Sequence, residues 1–426
     1  MPGPHFNSKR LKNARNVRAE FAPGSVPRVG APGFRLRLLP RTVEKNCLCR
    51  VVVEAGEAGE AGEVVGWSDF ATLLGTTDSE FGHKVVISDT GKIIAIVSNE
   101  PASAGKLWIY RLNTNGTTYT LDHSIDGSAT EQICAAGTPA SMSAIDVSND
   151  GNTIVFGVKN IATPTLSKIN VLKYASGTWS IDSTIGGLGD SYINCCINGD
   201  GNRVGISSPF SGTQSNIYVY SLSTGSNAAL GSVIDLTTYG PTFSGFNLAM
   251  NKTGDHLYIS AFNGKAFVYK YTTNWAIKGS VLSNDTSNSR FGEYGDINDS
   301  GNRLVVTAGG LGIGKLFIYD YTTDWTLSKT IANPDTTGLF SKYGASINGA
   351  GDKIVTSNYT GSSNNKGYII SYKLDGGDWV VDMDKKYGND NDYLGMSVDI
   401  SKTGDFIVAA SYYANSSDGK VTVYKL

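Results

Sequence analysis

A short turn built around glycine recurs seven times along this chain, and no other feature constrains the fold as much. It reads Asp89-Thr90-Gly91, Asn149-Asp150-Gly151, Gly199-Asp200-Gly201, Lys252-Thr253-Gly254, Asp299-Ser300-Gly301, Gly349-Ala350-Gly351 and Lys402-Thr403-Gly404. The turn glycines are spaced by 60, 50, 53, 47, 50 and 53 residues. Units of roughly fifty residues have the length of propeller blades.

Each unit has the same internal order. An alternating strand precedes the turn, as in Lys84-Val85-Val86-Ile87-Ser88 and Met396-Ser397-Val398-Asp399-Ile400. A second follows it, as in Ile93–Val97 and Arg303–Thr307. Glycine supplies the positive φ that tight hairpin turns require. After a polar loop a third strand ends in Tyr110, Tyr220, Tyr269, Tyr319, Tyr372 or Tyr424, with Leu172 in that place in the second unit. A fourth often opens with Trp, as at Trp179, Trp275, Trp325 and Trp379. Four antiparallel strands repeated radially make an all-β, seven-bladed β-propeller. The recurring Trp and Tyr are expected to fill the same inter-blade gap in every unit.

The ends of the chain predict how the ring closes. The last unit stops after its third strand, Val421–Leu426, while an unassigned strand containing Trp67 lies upstream of the first unit. Residues 64–73 are therefore expected to supply the fourth strand of the last blade, leaving no open edge. The division predicted is an extended basic arm over 1–54, an Ala-Gly-Glu linker over 55–63 and the propeller over 64–426.

The spacing of Phe81-Gly82, Asp89-Thr90-Gly91-Lys92 and Gly105-Lys106-Leu107-Trp108-Ile109-Tyr110 resembles the FG-GAP repeat, which builds the integrin α-chain propeller and occurs in microbial surface and large-virus proteins. It returns at Phe291-Gly292 with Gly301-Asn302 and Tyr319, and at Leu394-Gly395 with Gly404 and Tyr424. Units two and three depart from it, with Met142 and Tyr192 where the glycine would fall. The acidic calcium loop of integrin blades is absent from every unit, so the resemblance implies the fold and argues against calcium. The family spans adhesion modules, surface proteins and virion components and fixes no single activity.

Charge is unevenly placed. The first fifty residues hold eleven Lys or Arg against Glu20 and Glu44, a net of +9, leaving −11 for the rest of a chain whose total is −2. That total gives no global argument for nucleic acid, but the asymmetry marks an arm with its own partner. The arm also holds six of the twelve prolines. Three uses stay open for it: threading into a protein assembly, contacting nucleic acid or an anionic surface, or serving as a solvated or targeting tail. Anchoring charge is assigned to Arg10, Lys12, Arg15, Arg18, Arg35 and Arg37, and Arg35-Leu36-Arg37-Leu38 alternates enough to become a strand on a partner.

Other candidate sites read as structural. Asn389-Asp390-Asn391-Asp392 has calcium-type oxygens but lacks the glycine and distal glutamate of a calcium loop. Gly309-Gly310-Leu311-Gly312-Ile313-Gly314 leads into a strand, where a dinucleotide fingerprint needs a helix. His5, His83, His123 and His256 share no metal spacing, and the five cysteines form no zinc pattern. Sequons at Asn115, Asn284, Asn358 and Asn415 accord with chance in a chain this rich in Asn, Ser and Thr. No nucleophile motif occurs, and no apolar run approaches a membrane span. The expectation is a non-enzymatic structural or assembly protein without a cofactor, anchored by its arm in a larger particle such as a virion or surface layer, where a minor capsid role fits. The alternatives are an adhesion or glycan-binding module recognising through the loops Ser207–Asn216 and Ser357–Lys366, and an enzyme with a site at the channel mouth.

Overall fold

The computed structural model describes residues 66–426, apart from 100–103, 134–143, 164–165, 188–193, 208–215, 240–243, 262–263, 285–289, 311–313 and 336, together with two short strands nearer the N-terminus. Gly66–Leu426 is one compact unit of seven antiparallel sheets. The innermost strands, in blade order, are Lys84–Ile87, Ile145–Val147, Asn194–Ile197, Ser244–Met250, Phe291–Ile297, Phe340–Ile347 and Ser397–Ile400. Each hairpins into a second strand through the glycine turn and then into a third and fourth. This is a seven-bladed β-propeller.

The ring closes as the chain ends predicted. Ser68–Leu74 pairs antiparallel with Lys420–Lys425 as the outer strand of blade 7. Within the described residues the strand begins at Ser68, with Trp67 buried just ahead of it, and 64 and 65 lie outside the described residues. The outer strand is less regular in two blades than the repeat suggested. In blade 3 it divides into Ser226–Ala229 and Ile234–Asp235, and in blade 4 into Trp275–Ile277 and Leu282–Ser283. The interruptions fall beside Gly231 and Gly279, both with positive φ.

Hydrophobic burial follows the radial plan. Among the described residues seven apolar clusters occur, each joining two neighbouring blades. One joins Ile93 and Ile109 of blade 1 to Ile154 and Phe156 of blade 2. Another joins Val408 and Val423 of blade 7 to Ile94 and Ile96 of blade 1. No blade holds its core alone, so stability depends on a complete circle. Trp67, Trp179, Trp275, Trp325 and Trp379 are each 7–9% exposed within these clusters. Three of these indole N–H groups also reach the preceding blade from the fourth strand: Trp179 donates to Asp122 at 2.7 Å, Trp275 to the Leu230 carbonyl and Trp325 to the Lys278 carbonyl, both at 2.8 Å.

The glycine turns carry more information than the glycine. Ser88, Ser148, Asn198, Asn251, Asn298, Asn348 and Ser401 each stand three residues before the turn glycine, and each carbonyl accepts that glycine's N–H. Their side-chain oxygens also cap the start of the second strand. Asn298 Oδ1 accepts the N–H groups of Asn302 and Arg303, and Ser401 Oγ those of Asp405 and Phe406. Gly301 has a φ of +66°, and a Cβ there would lie 2.5 Å from the His256 ring of blade 4. The Phe-Gly pair has a similar cause. Gly395 has a φ of +102°, and its missing Cβ would fall 2.4 Å from Ser357 Cβ of blade 6. Left-handed backbone and close approach to the preceding blade coincide there, which is the situation glycine suits.

The N-terminal unit is Met1–Val65. Its Arg37–Leu39 backbone pairs antiparallel with Arg50–Val52, so the short alternation does enter a strand, with a partner inside the chain. Arg10, Lys12, Arg15, Arg18 and Arg35, and the side chain of Arg37, lie outside the described residues, as do Met142 and Tyr192.

Candidate functional site

The inner strands surround a central channel of about 120 Å3, lined by residues of all seven blades. Its polar side chains staple one blade to the next. Asp146 Oδ2 of blade 2 accepts the Ile197 N–H of blade 3 at 2.8 Å. Asp296 Oδ2 of blade 5 accepts the Ile347 N–H of blade 6 at 3.0 Å, and Asp399 Oδ2 of blade 7 accepts the Ile87 N–H of blade 1 at 2.9 Å. Asn247 Oδ1 of blade 4 accepts the Gly295 N–H of blade 5 at 2.9 Å. Burial pushes the Asp146 carboxyl up to about 7, although the Ile197 and Val147 N–H groups favour the anion. It also raises Asp399 and lowers Lys84. Burial pulls Lys402 down as well, but Asp296 and Asp399 outweigh it, so this lysine stays firmly charged.

At one mouth the turns bond to one another around the axis. Asp89 N–H donates to the Asn149 carbonyl, Asn149 to Gly199, Asp200 to Lys252, Asp299 to Gly349, Gly349 to Lys402, and Thr403 back to Asp89. The remaining link is Asn251 Nδ2 to the Asp299 carbonyl at 3.2 Å. Main-chain polarity at this mouth is largely consumed by the ring itself.

The opposite mouth is different. It is reached by the starts of the inner strands and the ends of the second strands. Between blades 6 and 7 these form an open basin of about 550 Å3 lined by Tyr343, Tyr359, Asn391, Tyr393, Met396, Tyr412 and Tyr413. The rings form an arc. Tyr343 to Tyr359 spans 4.8 Å between centroids, Tyr359 to Tyr393 6.2 Å, Tyr393 to Tyr413 5.3 Å and Tyr413 to Tyr412 4.1 Å. His83 of blade 1 extends it, 5.6 Å beyond Tyr412. Lys342 Nζ sits over the rings of Tyr343 and Tyr359, at 5.0 and 5.7 Å. Burial raises the phenols of Tyr359 and Tyr412, which stay protonated at any physiological pH.

The basin's outer wall is clamped. Asn391 and Tyr393 have φ of +62° and +52°, a costly conformation for a bulky residue. Their N–H groups donate to the carbonyls of Asn364 and Asn365 at 2.7 and 3.0 Å. The segment that resembled a calcium loop belongs to this clamp, and its carboxylates are met by lysines. Asp392 lies 2.9 Å from Lys420 and accepts the Asn389 N–H, while Asp390 lies 3.3 Å from Lys366 and accepts from Asn364 Nδ2.

Of the two loops expected to form a recognition face, Ser357–Lys366 contributes Tyr359 to the basin, and 208–215 lies outside the described residues. Gly314 opens the strand Lys315–Tyr321, as the alternation predicted. His256 is a buried structural residue, bonded to Asp255 and Lys278 at 2.9 and 3.0 Å. Asn358 of the sequon is itself fully buried, its amide donating to the Thr337 carbonyl. Cys195 and Cys196 are buried free thiols on the inner strand of blade 3. Among the described residues no helix is long and apolar enough to cross a membrane.

The basin and the staples were missed by reading residues singly. Tyr359 and Tyr412 each directly follow a second strand, 53 residues apart, one repeat period. The staples also repeat, as Asp146-Val147-Ser148, Asp296-Ile297-Asn298 and Asp399-Ile400-Ser401 ahead of their turn glycines.

Comparison with solved structures supports the same class. The chain is similar to the β-propeller domain of Cps50 (Swd1) from Myceliophteria thermophila, with a TM-score of 0.54 and 13% identity over 84% of this chain and 99% of that one. At that identity the likeness concerns the fold. No family model matches the chain, and no curated protein matches it.

Proposed function

We propose that this chain is a non-enzymatic binding module of a larger assembly, with the basic arm attaching it and the propeller presenting its tyrosine-lined mouth to a ligand. The observation that carries the reading is the division between the two mouths. Along the channel, Asp146, Asp296 and Asp399 serve as staples between blades, while the opposite mouth leaves an aromatic basin open to solvent. Carboxylates fixed on backbone N–H groups are poorly placed for proton transfer to a substrate, whereas clustered tyrosines suit recognition. The charge division, +9 in the first fifty residues against −11 in the rest, supports attachment through the arm. A virion or surface layer, with the chain as a minor capsid or surface component, is the assembly that the FG-GAP resemblance favours.

Crosslinking mass spectrometry on the native assembly tests this, comparing the full chain with a truncation beginning at residue 51. Crosslinks from Lys9, Lys12 and Lys45 to an abundant repetitive partner, lost on truncation, are expected. Co-purification unchanged by the truncation overturns arm attachment. The adhesion reading is favoured by one observation, the tyrosine arc, which also identifies a ligand class.

A further inference from the structure

We infer that the tyrosine basin between blades 6 and 7 is a binding site for a neutral carbohydrate. The inference rests on the reading of this mouth as the recognition face and adds the chemistry of what it takes.

Three observations favour a sugar. First, none of the seven lining residues is charged: five are tyrosines, with Asn391 and Met396. Such a lining offers apolar ring faces beside phenol and amide groups that both donate and accept. A pyranose needs that pairing, with C–H faces to stack and hydroxyls to bond in the same few ångströms. Second, the chain's own Lys342 lies over Tyr343 and Tyr359. The cation–π positions on these two rings are filled, which disfavours an ammonium ligand. Third, the shape is a compact arc of about 550 Å3, with adjacent rings inclined by 30–60°. That volume suits a small molecule. A proline-rich peptide, by contrast, calls for an elongated aromatic groove.

The site is also preorganised. The strained backbone at Tyr393 is held by its bond to Asn365, and Met396, which lines the basin, is buried. Tyr413 is 41% exposed and stands in the arc between Tyr393 and Tyr412. It is the residue whose loss would least disturb folding.

The test uses the full chain. The methyl glycosides of glucose, galactose, mannose and N-acetylglucosamine are titrated by NMR or tyrosine fluorescence, alongside sialic acid and a proline-rich peptide. Saturable binding of at least one neutral glycoside in the millimolar range is expected. Tyr413→Ala and Tyr393→Ala should weaken it tenfold or more, while Tyr413→Phe, which keeps the ring, should weaken it only a few-fold. The inference is overturned if no neutral glycoside saturates, if binding survives both alanine variants in folded protein, or if only the peptide or the sialic acid binds at the arc. These outcomes do not depend on the arm: co-purification unchanged by the truncation, with sugar binding intact, sinks the attachment reading alone, and arm crosslinks without sugar binding sink the sugar site alone.

Discussion

Trp67 Nε1 donates to Asp382 Oδ2 across 2.7 Å, joining residues 315 positions apart. The indole belongs to the segment that completes blade 7, and the carboxylate to the outer strand of blade 6. Asp382 also lies 3.3 Å from Lys373 Nζ. Asp382→Ala leaves the largely buried indole N–H without its acceptor and should cost about 1–3 kcal/mol. Asp382→Asn keeps an acceptor oxygen and should cost less. Denaturant midpoints of the two variants check the order.

The capping side chains of the turns give a second expectation. Asn298→Ala removes the acceptor for the Asn302 and Arg303 N–H groups and should destabilise by about 1–2 kcal/mol. Asn298→Ser should be nearly neutral, since Ser88, Ser148 and Ser401 occupy the same place in other blades. Equal losses for alanine and serine would show that side-chain volume, rather than the cap, is what matters.

The repeat also exposes a defect. Trp379 Nε1 is buried without a partner. The acceptors that serve Trp179 and Trp67 stand three residues after the outer-strand aromatic of the preceding blade, at Asp122 after Tyr119 and at Asp382 after Trp379. The equivalent position for Trp379 is Ser328, three after Trp325, and it is exposed. Ser328→Asp should supply the missing acceptor and stabilise by about 1 kcal/mol. Pairing with Trp379→Phe in a double-mutant cycle should abolish the gain.

Glu293 sets a pH dependence. Burial raises its carboxyl from 4.5 to about 7, although Arg290 lies 3.2 Å away and favours the anion. The folded state therefore holds a proton that the unfolded chain has lost across roughly pH 4.5–7, so this group's contribution to stability falls as pH rises through that window. Glu293→Gln should gain melting temperature relative to the parent between pH 5 and 7, with the difference level above 8. A difference that shrinks over the same range would reverse the assignment.

How much of this the sequence disclosed depends on what kind of interaction each feature is. Turn glycines, alternating strands and the Trp at the fourth strand are local patterns repeated seven or fewer times, so Gly91 through Gly404 outlined the blades and Trp67 signalled the closing strand. Leu172 pairs with Ile154 as Tyr110 pairs with Ile94, so even the irregular third strand of blade 2 could be placed by its position in the repeat. The basin was not visible in the same way. Tyr343, Tyr359, Tyr393, Tyr412 and Tyr413 come from four separate segments, and among 22 tyrosines nothing local distinguishes them from the column at Tyr269, Tyr319 and Tyr372 that packs inside the blades. The divided outer strands of blades 3 and 4 were hidden for a related reason, since Gly231 and Gly279 resemble any other loop glycine until the backbone is seen.

The closing strand makes the two ends of the propeller neighbours, with Ser68 paired to Lys425. Tension applied ahead of residue 66 therefore reaches Trp67 and the strand Ser68–Leu74 before any other part of the ring. That strand is held to its sheet on one side only, by Lys420–Lys425. A pull from the N-terminal side would unzip the same seam that completes the circle, so any load carried by the preceding chain falls first on the latch.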